Sequence, residues 1–478
     1  MRTIIVLLTS VLLLSPLTAH AQDNRAALET VEKALGATGL KSIEIQGGGT
    51  FFWAGQSYTA GQAYPQFNVR SFTRTVNYDT ASLRDEMVRT RTLEPPKGGG
   101  PYVRGEHKAI AVLSGEHAWN VTGDAAAAAP LALTERQFQL WSTPHGIVKA
   151  AMTGKGSVQG RTIVFAVPGS FKATATLDAA NMIERVDGTV ANPVLGDMPI
   201  TVSYSDYRDF GGVKFPTRIR QIVGGFPVLE LTVTEVKPNA AADITVPDAV
   251  KQAGNPYAKV TSQKAADGVW YLTGGTHHSV VIEMKDHLIV VEGPLNDDRA
   301  LAVINETRSL VPNKPIKYLV VSHHHFDHSG GVRAFAGEGA TLIIHDASRA
   351  YLEKVLAAPA TVSPDHLAKS GKKATVEGVR DRRVLTDGTR NVEIRQIAGI
   401  QHADDMLMVY LPKEKFLIEA DAYTPPAPNA APMSPPSPFN VSLVENLKQQ
   451  GLAVDQILPL HGRMVPLAEL QKAAGVTP

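Results

Sequence analysis

Apolar and polar positions along the chain fall into two regimes. From Asn24 to Leu35 the spacing of Ala26, Leu28, Val31 and Leu35 predicts one buried face of a short helix. Beyond it, Ser42–Gln46, Gly49–Trp53, Phe67–Val76 and Ala109–Leu113 alternate as strands do, and glycines and prolines punctuate them. Glu135–Met152 predicts a helix, and Thr162–Val167, Ala173–Leu177, Ile200–Tyr204, Thr217–Gln221 and Val228–Val236 predict further strands. Pro95–Pro101, with Gly98, Gly99 and Gly100, reads as a mobile loop, and Ala125–Ala129 carries no pattern. This first regime is a mainly antiparallel, β-rich unit with one or two helices on its sheet.

Periodicity fades over Pro238–Pro256, which predicts a linker at 238–258 between a β-rich unit at 22–237 and a second unit at 259–478. In the second regime the strands Val269–Leu272, Ser279–Glu283, His287–Glu292, Ile316–Ser322 and Thr341–Ile344 alternate with helical patterns such as Asp298–Leu310. Alternation of this kind predicts a layered α/β fold. At the other end, Arg2, the apolar run Ile4–Leu14, Pro16 and the triplet Ala19-His20-Ala21 follow the order of a secretory signal peptide. They predict a segment 1–21 cleaved before Gln22, and a periplasmic mature protein without membrane insertion.

Composition removes whole classes of chemistry. There is no cysteine, so disulfides, thiolate zinc sites, iron–sulfur clusters and Cys nucleophiles are excluded. Lys+Arg 47 against Asp+Glu 46 leaves a net charge of +1, which offers no surplus for holding nucleic acid. Any metal must be held by His, Asp and Glu.

Histidine placement is the most informative feature. Eleven of the fifteen histidines lie at or after His277, and four fall in His323-His324-His325-Phe326-Asp327-His328, directly after a strand. On that extended segment His323 and His325 share a direction while His324 points elsewhere. His-x-His-x-Asp-His followed by Gly330-Gly331 resembles the metallo-β-lactamase superfamily. The remaining positions of that pattern follow in order, each at the end of a predicted strand: His402 after Val392–Ile397, Asp421 after Phe416–Glu419, and His461 after Ile457–Leu460.

The resemblance implies an αββα sandwich and a two-metal centre. His323, His325 and His402 would hold one ion, Asp327, His328 and His461 the other, with Asp421 between them. Two zinc ions are expected, with iron or manganese as alternatives. Two carboxylates against four metal charges leave a positive site that favours a bridging hydroxide at neutral pH. The implied activity is hydrolysis of a small-molecule acyl bond, as in a lactone, ester or β-lactam, with Asp327 relaying the proton. Tyr423, near Asp421, is similar in placement to a tyrosine of the homoserine-lactone lactonases and would act on the oxyanion side.

Two other readings remain open: a periplasmic ligand-binding protein with a vestigial metal site, and a phosphodiesterase of the same superfamily. His277 and His278 read as surface-turn histidines, with the edge of the pocket as the alternative, and His345 as structural. Phe51, Phe52, Trp53 and Trp119 read as core. The stiff Pro425–Pro438 loop, with seven prolines, reads as a cleft wall or an inert excursion. The stretch from Val202 to Thr217 is similar to curved-sheet lipoprotein-carrier domains, implying substrate capture or homo-oligomerisation by the first unit.

Overall fold

Thirteen strands between residues 42 and 238 form a single sheet. From Ser42–Phe52 the chain steps outward, each strand antiparallel to the last, to the edge strand Ala125–Ala128. It crosses back as the helices Leu133–Trp141 and Pro144–Thr153, then steps inward from the other edge, Ser157–Gln159, to Phe226–Pro238. That last strand pairs with Ser42–Phe52 and closes the middle of the sheet. The two crossing helices share one apolar core with Leu28, Val31 and Leu35 of the first helix, Pro16–Leu35, against one face of the sheet. Each such side chain, fully buried, contributes about 1.5–3 kcal/mol.

This is a computed structural model; it describes residues 16–153, 156–167, 170–428, 430 and 433–476. The apolar run Ile4–Leu14 therefore lies outside the described residues, as do positions 429, 431 and 432 of the proline-rich loop. Among the described residues no helix is long and apolar enough to cross a membrane.

Several elements differ from the pattern-based expectation, each for a physical reason. Ser42–Gln46 and Gly49–Trp53 are one strand, in which an irregularity at Gln46/Gly47 breaks the alternation. The charged segment Ser82–Arg91 is a central strand that apolar alternation did not reveal. There Asp85 pairs with Arg74 at 2.6 Å, and Glu86 with Arg84 and Lys108 at 2.7 and 2.8 Å. Cross-strand ion pairs do the work of apolar contacts. Ile183–Asn192 is likewise a strand, and the alanine run Ala125–Ala128 is an edge strand. The expected helix over Glu135–Met152 is two helices, parted at Ser142 and Thr143.

After a stretch in which Ile244, Val246 and Val250 pack on Val112 and Trp119 of the thirteen-stranded sheet, the described residues from Thr261 onward form an αββα sandwich. A seven-stranded sheet runs from Thr261–Ala266 to Thr375–Val379, with its last three strands parallel to Leu288–Val291 and to one another. A six-stranded sheet runs from Arg382–Thr386 to Val465–Pro466. Between them lies an apolar layer including Tyr271, Ile282, Ile289, Ile394, Val409 and Leu458. Helices Asp297–Leu310, Val332–Glu338 and Asp346–Leu356 cover the outer face of the first sheet. Pro438–Gln449 and Leu467–Ala473 cover the second. Sheets covered on both faces explain the near-continuous apolar strands, such as Leu407–Leu411.

Candidate metal centre

One edge of the sandwich collects the strand ends that carry the chemistry. His323 and His325 follow Ile316–Val320, and Asp327 and His328 sit on the short helix Phe326–Ser329. His402 lies between Asn391–Gln396 and Leu407–Leu411; Asp421 follows Phe416–Glu419; His461 follows Gln456–Pro459. The structure brings all of these but Asp327 together in two groups with metal-ligand spacing: His323, His325, His402 and Asp421, and beside them His328 and His461 with His277 in the place expected for Asp327.

Asp421 stands between the groups. Its Oδ2 is 3.0 Å from Nε2 of both His402 and His328 and 3.6 Å from that of His323, while its Oδ1 is 3.1 Å from His461 Nε2. Its backbone has φ of +58°, a left-handed conformation uncommon outside glycine but tolerated by Asp and Asn. Asp327 keeps its Oδ2 3.7 Å from His328 Nε2, with about 34% of its side chain exposed.

Hydrogen bonds around the cluster decide what it can hold. His461 Nδ1 lies 2.9 Å from the Thr276 carbonyl, His328 Nδ1 3.3 Å from Glu292, and His325 Nε2 2.9 Å from the Ser57 carbonyl. These acceptors can only take an N–H, so in the neutral ring the opposite nitrogen of each histidine is the one left to face a cation. His323 Nδ1 meets the Ser322 hydroxyl at 3.0 Å, and that hydroxyl donates to Glu292. The free nitrogens converge: His323 and His402 Nε2 are 3.2 Å apart, as are His328 and His461 Nε2, and His325 Nδ1 is buried without a partner. Imidazole nitrogens converging around a carboxylate fit divalent cations, with outer partners orienting His323, His325, His328 and His461.

Burial and the adjacent imidazoles hold His323 and His325 well below the ordinary histidine value, so both are neutral. At Asp421 burial opposes ionisation, but His328, His461 and His402 outweigh it and hold the carboxyl well below the usual range. Burial likewise pushes Glu419 up to about 8, against the hydrogen bond from the Tyr423 N–H.

The surroundings hold residues that sequence reasoning missed or misplaced. His277 is no surface-turn residue: its ring centroid is 4.2 Å from that of His461 and its Nε2 is 3.2 Å from Asp327 Oδ2. The buried guanidinium of Arg299 fixes that turn by donating to the His277 and Thr273 carbonyls. His278 is also buried, against the Gly462 carbonyl. His324 points away as expected, to Asp405 at 2.8 Å, and His345 caps a helix. Tyr423 is 2% exposed within an apolar cluster containing Phe439 and Leu443. Packing, not an open oxyanion position, surrounds its phenol, and its backbone is what reaches Glu419.

The first unit also reaches the cluster. Gln56 Nε2 donates to Asp327 Oδ1 at 2.8 Å, and Ser57 supplies the carbonyl that orients His325. Gly55, at φ +74°, lets this turn close on Phe326, whose ring would lie 2.4 Å from a Cβ there. The glycine loop read as mobile is tied down: Gly98 N–H donates to the Gln401 carbonyl, and Gly99 and Gly100 donate to Gln56. No local pattern signals such contacts, because Gln56 and Ser57 are ordinary surface residue types.

Residues 272–452 match the profile described as the metallo-beta-lactamase superfamily. This stretch is a metallo-beta-lactamase superfamily domain. The superfamily domain holds every residue of the sequence pattern except His461, which follows it. Among curated proteins, the chain is 28% identical over 221 residues to a linear primary-alkylsulfatase of Pseudomonas sp. (strain ATCC 19151). It is 23% identical over 179 residues to the alpha subunit of the 2,4-dinitroanisole O-demethylase of Nocardioides sp. (strain JS1661). The matches cover 39% and 36% of this chain and 41% and 49% of those relatives, so the chain spans less than half the length of either. A solved metallo-beta-lactamase from Pontibacter korlensis is 16% identical, with a TM-score of 0.35 over 46% of this chain and 98% of that one.

Proposed function

We propose that the chain is a metal-dependent hydrolase holding two divalent ions, zinc first, with iron or manganese as alternatives. The observation that carries this reading is the convergence of imidazole nitrogens on Asp421 from both sides. His323, His325 and His402 would hold one ion and Asp327, His328 and His461 the other, with His277 orienting Asp327. Bound divalent metals supply Lewis-acid polarisation and lower the pKa of bound water to about 7. The chain's own part is to keep His323 and His325 neutral by burial, to aim the imidazoles through their outer partners, and to offer Asp327, open to solvent, as the proton relay.

The bond cleaved is an acyl bond, in an ester, lactone or β-lactam, or, given the similarity to the alkylsulfatase, an alkyl sulfate ester. A screen of zinc-loaded protein across these substrates and phosphodiesters tests the reading. Stoichiometric zinc with no turnover of any of them would reject it in favour of a ligand-binding role.

The turn carrying Gln56 yields a first prediction. Gln56→Ala frees Asp327 Oδ1, and outer partners of metal ligands are worth about 10–100-fold in affinity or activity. We expect a loss of at least ~10-fold in zinc affinity by chelator competition. An unchanged affinity would show that Gln56 does not position Asp327.

We also propose export, from the signal-like order of residues 1–21. Protein isolated from its host is expected to begin near Gln22, leaving Leu28, Val31 and Leu35 to pack. N-terminal sequencing that returns an intact Met1 would reject this.

A further inference from the structure

The helix Leu133–Trp141 does not lie flush on the large sheet. A cavity of about 420 Å³ opens between them, within the roughly 300–1,000 Å³ of small-molecule sites. Ala109 and Ala111, on the strand His107–Ser114, leave room on its floor, and Phe51, Phe52, Trp53 and Met87 give it apolar walls. The reading of these aromatic residues as core holds only in part: they face a space.

Arg89 lines that space and is 7% exposed. Its guanidinium carbon lies 4.3, 4.7 and 5.0 Å from the ring centroids of Phe51, Trp53 and Phe67, and its Nε has no hydrogen-bond partner. The other cations of the lining are committed. Arg74 pairs with Asp85 at 2.6 Å, and Arg136 donates to the Val112 and Trp119 carbonyls and to Asn120. Glu135 stands exposed at the rim. Three guanidiniums thus face two carboxylates, one of which is already paired. Gln221 also lines the cavity, and its buried Nε2 lacks a partner.

Taking a cation out of water without a counter-ion is costly, and ring faces compensate only in part. Burial, with repulsion from Arg91, pulls Arg89 down to about 10. An anion beside Arg89 would give this guanidinium the counter-ion it lacks, and the aromatic walls suit an apolar body attached to it. We infer that this cavity binds a single-chain amphiphile with an anionic headgroup, carboxylate or sulfate, at a site separate from the metal centre.

Calorimetry on the full chain tests this with decanoate, decyl sulfate and 1-decanol, each below its micellar concentration. At least one of the two anions is expected to bind one per chain, at least ~10-fold more tightly than decanol, and their ranking identifies the headgroup. Arg89→Met should weaken the anion by at least ~10-fold and leave decanol unchanged. Ala111→Leu, which fills the floor, should abolish binding of all three with zinc content unchanged, and it keeps the test decisive if Arg89→Met does not fold. Equal affinity for decanol and the anions would overturn the inference, as would wild-type binding by either variant. Binding that survives Ala111→Leu but is lost in Asp421→Asn would place the amphiphile at the metal centre and overturn it too.

Discussion

Replacing Asp421 with Asn is expected to cost the protein one of two bound ions and at least ~100-fold in kcat, while the fold survives. Asn keeps the size of the side chain and tolerates the φ of +58° at this position, so the substitution isolates charge from backbone strain. What it removes is the carboxylate that lies 3.0–3.1 Å from His328, His402 and His461 and would stand between two dications. Without it the repulsion between the ions is uncompensated. Outer partners of ligands are already worth about 10–100-fold, and an inner bridging carboxylate should exceed that. The strand Phe416–Glu419 does not depend on Asp421, because its four residues are buried in the sandwich. If Asp421 only shaped its turn, the variant would lose thermal stability and keep its specific activity. Metal content, Tm and kcat on one preparation separate the outcomes, and full occupancy with near-normal turnover would sink the bridging role.

Stripping the protein with a chelator is expected to lower Tm by about 10 °C, and added zinc to restore it. A ligand at a thousand times its Kd stabilises by about 4 kcal/mol, and each kcal/mol moves Tm by roughly 2–4 °C in a domain of this size. Structural cost points the same way: without metal, ring nitrogens of neighbouring histidines crowd to 3.2 Å around one carboxylate, a contact that favours extra protons. Burial resists charge on His328 and His461, but Asp421 outweighs it and holds both above the ordinary histidine value in the metal-free protein. Those protons must leave when metal enters, so zinc affinity should fall as pH is lowered. A Tm indifferent to a verified loss of metal would show that the cluster is a folded histidine network in its own right.

The parts of this site that were legible in the sequence are the ones made of rare residue types in a local frame. His323, His325, Asp327 and His328 lie within six residues, and His402, Asp421 and His461 each follow an apolar strand, so pattern and chemistry sit in the same window. A layered α/β fold was legible for the same reason, because strands covered on both faces are continuous apolar runs bounded by turns, while its αββα order was what the resemblance implied. By contrast, the strand Ser82–Arg91 was hidden because ion pairs from neighbouring strands stabilise its charged residues, and those partners are invisible to a local window.

Only the tertiary structure decided how the site is completed. It brought His277 to His461, buried the Tyr423 ring, anchored the Gly98–Gly100 loop, and set Gln56 and Ser57 of the first unit against Asp327 and His325. These last contacts join residues 271 and 268 positions apart, and the donors and acceptors include backbone carbonyls that any residue could supply. A metal-binding side chain announces itself by its type, whereas the groups that aim it do so by position alone, and position is a property of the folded chain.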